Sequence, residues 1–151
     1  MKLGEICTIK YDTDHKALAD GSIPVYGTGG IMRYADRSLS SGPSVLIPRK
    51  GTLSNLFFVD SPFWTVDTLF WTTIDENAVL PKYLYYALKT RNLAELNVGT
   101  AVPSLTVELL NDVEIDLPTY EQQERIINLL SSLDAKITFN SRINDHLALW
   151  A

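Results

Sequence analysis

Residues 99–137 read GTAVPSLTVELLNDVEIDLPTYEQQERIINLLSSLDAKI, and the order of elements in this stretch decides how the chain is built. A Gly-Thr loop leads to a short helical turn over 106–110 that Thr106 is placed to cap. Residues 113–117 then alternate Val, Ile and Leu with Glu114 and Asp116, the period-two pattern of a half-buried strand, with charges that discourage further pairing at an edge. After Pro118, Thr119 caps a final helix, and Gln122 three residues on completes a capping box. Glu121 and Glu124 lie in the first turn, where negative charge suits the helix dipole. Running from about Tyr120 to Leu149, this helix spans about 45 Å. The stretch therefore joins a globular part, residues 1–118, to a long helix, residues 119–151, that needs a partner.

The apolar pattern of the helix is a heptad. Ile126, Leu130, Leu133 and Ile137 step by four, three and four, and the register continues through Asn140, Asn144 and Leu147. This is a coiled-coil seam with two polar positions near its far end. Phe139, Ile143 and Trp150 form a second, offset stripe. The helix could pack on its own domain. Pairing with another helix is the favoured reading, because so long an apolar stripe left unpaired would keep a sizeable patch wet. Asn at seam positions costs stability and fixes register, which makes sense against a specific partner.

Upstream, short β-prone runs at 6–10, 23–26, 31–34, 44–47, 56–59 and Leu69–Ile74 are punctuated by Gly, Pro, Asp and Ser. Strands this short and closely spaced suggest a curled or barrel-like sheet. Residues 81–96 read as a helix, with Pro81 in its first turn, Leu84, Ala87 and Leu88 at helical spacing, and Tyr83 and Tyr86 flanking that stripe. The fold class is α+β: a curled, mostly-β domain with small helices, then one long coiled-coil helix.

Composition narrows the function. Hydrophobic content of 46% and charged content of 21% suit a folded globular chain of 151 residues. No apolar run approaches the ~18 residues of a membrane span, and the opening MKLGEICTIK lacks a signal-peptide core, so a cytoplasmic location and no membrane partner are expected. The single cysteine, Cys7, sits in an apolar alternation and reads as a small core residue rather than a nucleophile. The net charge of −5 is uneven: residues 1–100 carry ten basic and ten acidic groups, and residues 101–151 carry three and eight. A polyanionic partner for the first part is therefore compatible with the low pI.

Catalysis finds little support. His15 lies in a polar loop and His146 on the terminal helix, neither with a metal-ligating neighbour at helical spacing. Asp12 with Asp14, and Asp75 with Glu76, read as turn and surface residues. No nucleophile–base motif and no cofactor fingerprint is present. Three polar loops carry more. Tyr26-Gly27-Thr28-Gly29-Gly30 is a weak signal that also fits a tight hairpin, and Arg33 follows it. The stretch 48–55, PRKGTLSN, sets Arg49 and Lys50 beside Thr52, Ser54 and Asn55, with Gly51 allowing close backbone approach. Such a set can meet phosphate oxygens and base edges together, although a solvated turn is the plainer reading. Residues 99–104, with Thr100 and Ser104, form a third polar loop that also fits a simple connection.

These residues resemble a known family. The loop Gly99-Thr100…Pro103-Ser104-Leu105, then Val113-Glu114-Ile115-Asp116-Leu117-Pro118, then Glu121-Gln122-Gln123…Ile126-Ile127…Leu130…Leu133-Asp134…Ile137, is similar to the junction of domain and spacer helix in DNA-specificity subunits of Type I restriction-modification enzymes. Leu3-Gly4-Glu5-Ile6, the segment from Ile23 to Ile31, Pro62-Phe63-Trp64 and Tyr83-Leu84…Leu88 fit the same pattern. The resemblance implies a non-catalytic subunit whose recognition domain reads half of a split target in double-stranded DNA. It implies docking of the adenine methyltransferase subunit and of the restriction subunit. No cofactor is expected on this chain, since S-adenosylmethionine and ATP would belong to those partners. The family carries two recognition domains and two spacers where this sequence shows one of each, which fits either a natural half-subunit or part of a longer protein. Two copies paired through Ile126, Leu130, Leu133, Ile137, Asn140, Asn144 and Leu147 are then expected, with Arg49, Lys50, Thr52, Ser54 and Asn55 first, and Tyr26, Thr28, Arg33, Thr100 and Ser104 second, as DNA contacts. The alternatives are a helix-mediated assembly adaptor that never touches bases and, more distantly, a small hydrolase.

Overall fold

The computed structural model describes residues 1–11 and 14–150, so Asp12 lies outside the described residues. The chain divides into two compact units, Met1–Leu117 and Pro118–Ala151. The first contains α1 (Leu3–Ile6), β1 (Cys7–Lys10), β2 (Asp20–Gly27), β3 (Gly30–Ala35), β4 (Ser44–Pro48), β5 (Phe57–Val59), β6 (Trp64–Thr65), β7 (Leu69–Ile74), α2 (Pro81–Lys89), a 3-10 turn at Leu93–Leu96 and α3 (Val107–Asn111). The second is α4 (Tyr120–Ala148). The fold is thus α+β with a long C-terminal helix.

The strands form two sheets, ordered β1-β7-β4-β5 and β3-β2-β6. All five residues of β4 are buried, because this apolar run lies between β7 and β5 with α2 packed against it. Leu46, Val59, Phe63 and Leu69 form one core cluster, and Leu18, Val25, Ala35 and Val66 another. The β4–β7 ladder pairs only Ile47 with Phe70 and Pro48 with Leu69. Beyond it two buried hydroxyls replace main-chain pairing: Val45 N donates to Thr72 Oγ1 at 2.9 Å, Thr72 Oγ1 donates to Val45 O at 3.1 Å, and Thr72 N donates to Ser44 Oγ at 3.0 Å.

Four sequence readings change. Ile6 belongs to α1, and β1 starts at Cys7. The helix expected over 81–96 ends at Lys89, where Thr90 turns its hydroxyl back onto Ala87 O at 2.7 Å and stops propagation, leaving Leu93–Leu96 as a separate turn. The expected strand at 113–117 makes a single bridge, Glu114 with Lys2, because Lys2 is followed at once by α1 and offers no longer edge. Leu3 N still donates to Val113 O, and Ile115 N to Met1 O, both at 2.8 Å. β6 escaped the sequence reading. It is two residues long, and only its parallel pairing with Val25 and Tyr26 makes it a strand.

In the second unit Thr119 caps α4 as expected. Gln122 N donates to Thr119 Oγ1 at 3.3 Å, and Thr119 N donates back to Gln122 Oε1 at 3.0 Å. Of the seam residues Ile126 and Leu130 are half-buried, while Leu133, Ile137 and Leu147 are between 45% and 63% exposed, so the seam is bare from Leu133 onward. Asn140 and Asn144 are exposed as well. Among the described residues no helix is long and apolar enough to cross a membrane.

Candidate nucleic-acid interface

The segment 49–55 is the hub of the candidate site. It leaves β4 and runs antiparallel to residues 103–105: Leu105 N donates to Arg49 O at 2.9 Å, Gly51 N donates to Pro103 O at 3.0 Å, and Lys50 bridges Ser104. Gly51 has φ +90°, a conformation that strains any L side chain and explains a glycine here. Leu53 and Leu56 are buried and anchor the loop, while Lys50, Thr52, Ser54 and Asn55 stay exposed. The loop thus spends its apolar residues inward and keeps donors and acceptors outside.

The other two loops join this hub. Asn55 Nδ2 donates to Thr28 O at 2.9 Å, tying the Gly-rich stretch to the 49–55 segment. That stretch is a tight hairpin, with Gly27 paired to Gly30 across Thr28-Gly29. Tyr26 lies against Phe57 with ring centroids 5.7 Å apart, and burial, then the Tyr34 phenol, pushes its own phenol up. The third loop is closed by Asn97, whose Oδ1 accepts from Gly99 N and Ser104 N, both at 2.8 Å. Thr100 is exposed at its tip.

Two of the expected cations have structural tasks. Arg33 donates to His15 O at 3.2 Å, Leu18 O at 2.9 Å and Asp20 Oδ1 at 3.1 Å, so its guanidinium clamps the chain before β2 and is not joined to the hub. Arg49 lies over the Tyr11 ring at 4.9 Å and faces Phe70 at 6.0 Å, which holds its stem in place and leaves its charge without a carboxylate partner among the described residues. The Tyr11–Phe70 bench and the Asn97 staple were missed in the sequence. Asn97 followed by Gly99 was the available signal for the staple.

Of the residues a hydrolase would draw on, Cys7 belongs to the first unit and His146 to the second. The Cys7 thiol is buried, donates to Leu3 O at 3.5 Å and is pushed up by burial to about 12. His146 Nε2 accepts from Trp150 Nε1 at 3.2 Å. Among the described residues no group of three His, Cys, Asp or Glu is placed to hold a metal ion.

The fold and the tied loops together give a polar loop surface on a β-rich unit, followed by a long helix. The family described as the Type I restriction modification DNA specificity domain matches residues 1–149, and the chain belongs to that family. It is 28% identical over 108 residues to the Type I restriction enzyme MjaIX specificity subunit of Methanocaldococcus jannaschii, covering 69% of this chain and 25% of that protein. It is 32% identical over 101 residues to the HindI specificity subunit of Haemophilus influenzae, covering 60% and 22%. The crystal structure of the S subunit of a Type I restriction-modification system from M. genitalium superposes with a TM-score of 0.77 at 17% identity, covering 91% of this chain and 39% of that one. The chain thus spans about a quarter of the length of these two sequence relatives.

Proposed function

We propose that this chain reads one half-site of a bipartite double-stranded DNA target and carries an adenine methyltransferase subunit, and with it a restriction subunit, to that site. One observation carries the reading. Three polar loops are tied by main-chain and Asn hydrogen bonds into one platform that presents Lys50, Thr52, Ser54, Asn55, Thr28 and Thr100. Cations on such a platform hold phosphates, and hydroxyl and amide groups reach base edges. S-adenosylmethionine and ATP chemistry belongs, on this reading, to the partner subunits.

The exposed seam of α4 supports pairing of two copies. A two-fold pair of identical readers favours an inverted-repeat site. Mapping methylated adenines in a host that carries this chain and its methyltransferase subunit tests both points. An inverted, bipartite motif is expected, and methylation without sequence preference would favour the adaptor reading, for which the exposed stripe is equally suited. For the pairing itself, Ile137→Asp should convert a dimer to a monomer in sedimentation equilibrium, and a monomer before substitution would end the idea.

A further inference from the structure

Three cations of the first unit lie over aromatic rings, and a fourth, Lys89, donates to the Tyr85 hydroxyl at 3.3 Å. Lys10 Nζ lies 4.8 Å from the Trp71 ring centroid, Arg49 lies 4.9 Å from Tyr11, Lys82 lies 6.0 Å from Phe58 and Lys89 lies 5.3 Å from Tyr85. The carboxylate-bound cations are others: Lys2 on Asp112, Arg33 on Asp20 and Arg91 on Asp116. A ring holds a cation's stem without neutralising its charge. None of these four cations has a carboxylate partner among the described residues.

Two of these cations share a helix face. Lys82, Tyr85 and Lys89 step by three and four along α2, while Tyr83, Leu84, Tyr86 and Leu88 turn inward. Phe58 of β5 lies 6.0 Å from Tyr85, with Lys82 over the Phe58 ring and the Lys89 ammonium donating to the Tyr85 hydroxyl at 3.3 Å. At the end of this stripe Lys89, Arg91 and Asn92 line a groove together with Ser54. The stripe therefore runs into the loop at the centre of the candidate interface.

The geometry points to a DNA sugar-phosphate track along Lys82, Lys89 and Arg91, contiguous with Ser54. It rests on the DNA-reading assignment of the 49–55 loop and adds contacts that hold the duplex without reading bases. Asp116 regulates one of them. Its Oδ2 lies 3.2 Å from Arg91 Nη2, and both side chains are solvent-accessible, so a phosphate oxygen can take the place of the carboxylate.

The test uses the full chain, a random-sequence DNA duplex and a salt series. Lys82→Gln with Lys89→Gln should weaken binding to every sequence alike and lower the slope of log affinity on log salt by about 2, near 0.9 per lost phosphate contact. Asp116→Asn removes the competing charge while leaving the Asp116 carbonyl that receives the Tyr83 hydroxyl at 2.7 Å. It should raise affinity several-fold at low salt, a gain that a folding defect cannot produce. Unchanged affinity and slope in the lysine variant would overturn the track. Loss of methyltransferase-subunit binding with DNA binding intact would also overturn it, making the stripe a protein-docking face. If the unsubstituted chain binds no DNA, the loop assignment fails along with the track; if it binds and the variants bind equally, only the track fails.

Discussion

Asn97 organises a loop that has little apolar anchoring of its own, since Val98 and Val102 are both more than half exposed. One side-chain oxygen gathers the amides of Gly99 and Ser104, and a Cβ on Gly99 would sit 1.9 Å from Val102 O, so the loop closes as tightly as glycine permits. Asn97→Ala should lower global stability by only about 1 kcal/mol, because these groups can rebond to water. It should speed hydrogen exchange at the Gly99 and Ser104 amides; unchanged protection there would show that the loop is held by other means. Cys7 gives a second residue-scale test. Burial keeps its proton on up to about 12, whereas the unfolded chain loses it near 9.0. The stabilisation is whole below the lower value and is lost as pH climbs between the two, at about 1.4 kcal/mol per pH unit. Cys7→Ala should flatten the alkaline fall of Tm in a thermal denaturation series, and an unaltered slope would place that fall on other groups.

Among elements, β4 and β7 depend on two hydroxyls where their ladder stops. Thr72→Val keeps the volume but leaves Val45 N and Val45 O without the partner they share. Each stranded buried group costs about 1–3 kcal/mol, so Tm should fall by several degrees at ~2–4 °C per kcal/mol. Thr72→Ser should restore most of it in calorimetry, and a Tm unmoved by Thr72→Val would show that these groups find water. This pair also marks where the sequence stops being legible. The apolar run of β4 and the Thr119–Gln122 box depend on neighbours in sequence and could be read from it. Ser44 and Thr72 lie 28 positions apart, and nothing local announces that they meet. The same holds for β6, which exists only beside Val25 and Tyr26. At the candidate site the polar make-up of residues 49–55 was legible. What could not be read is the tertiary support: Asn97 beneath one loop, Tyr11 and Phe70 beneath Arg49, and the diversion of Arg33 to the chain before β2.

At the scale of the whole molecule, the proposed DNA reading requires a net charge of −5 to coexist with attraction to a polyanion. The resolution lies in where charge is cancelled. Acidic groups near the domain's end take up Lys2 and Arg91, while Arg49 and Lys50 have no carboxylate partner among the described residues. If the 49–55 loop reads DNA, its two kinds of residue should fail in different ways. Lys50→Gln removes an exposed charge from a loop held by its main chain, so affinity should drop on all sequences and the salt slope should shrink by about 1. Thr52→Ala with Ser54→Ala removes exposed hydroxyls suited to base edges and leaves the Asn55 tie to Thr28 O in place, so the slope should persist while preference for the methylated motif relaxes by about 1–3 kcal/mol for the base concerned. A competition assay between target and random duplexes, repeated across salt, separates the two outcomes. If both variants lose affinity and slope together with preference intact, the loop only grips the backbone, and base reading must come from the hairpin at Thr28 or the tip at Thr100.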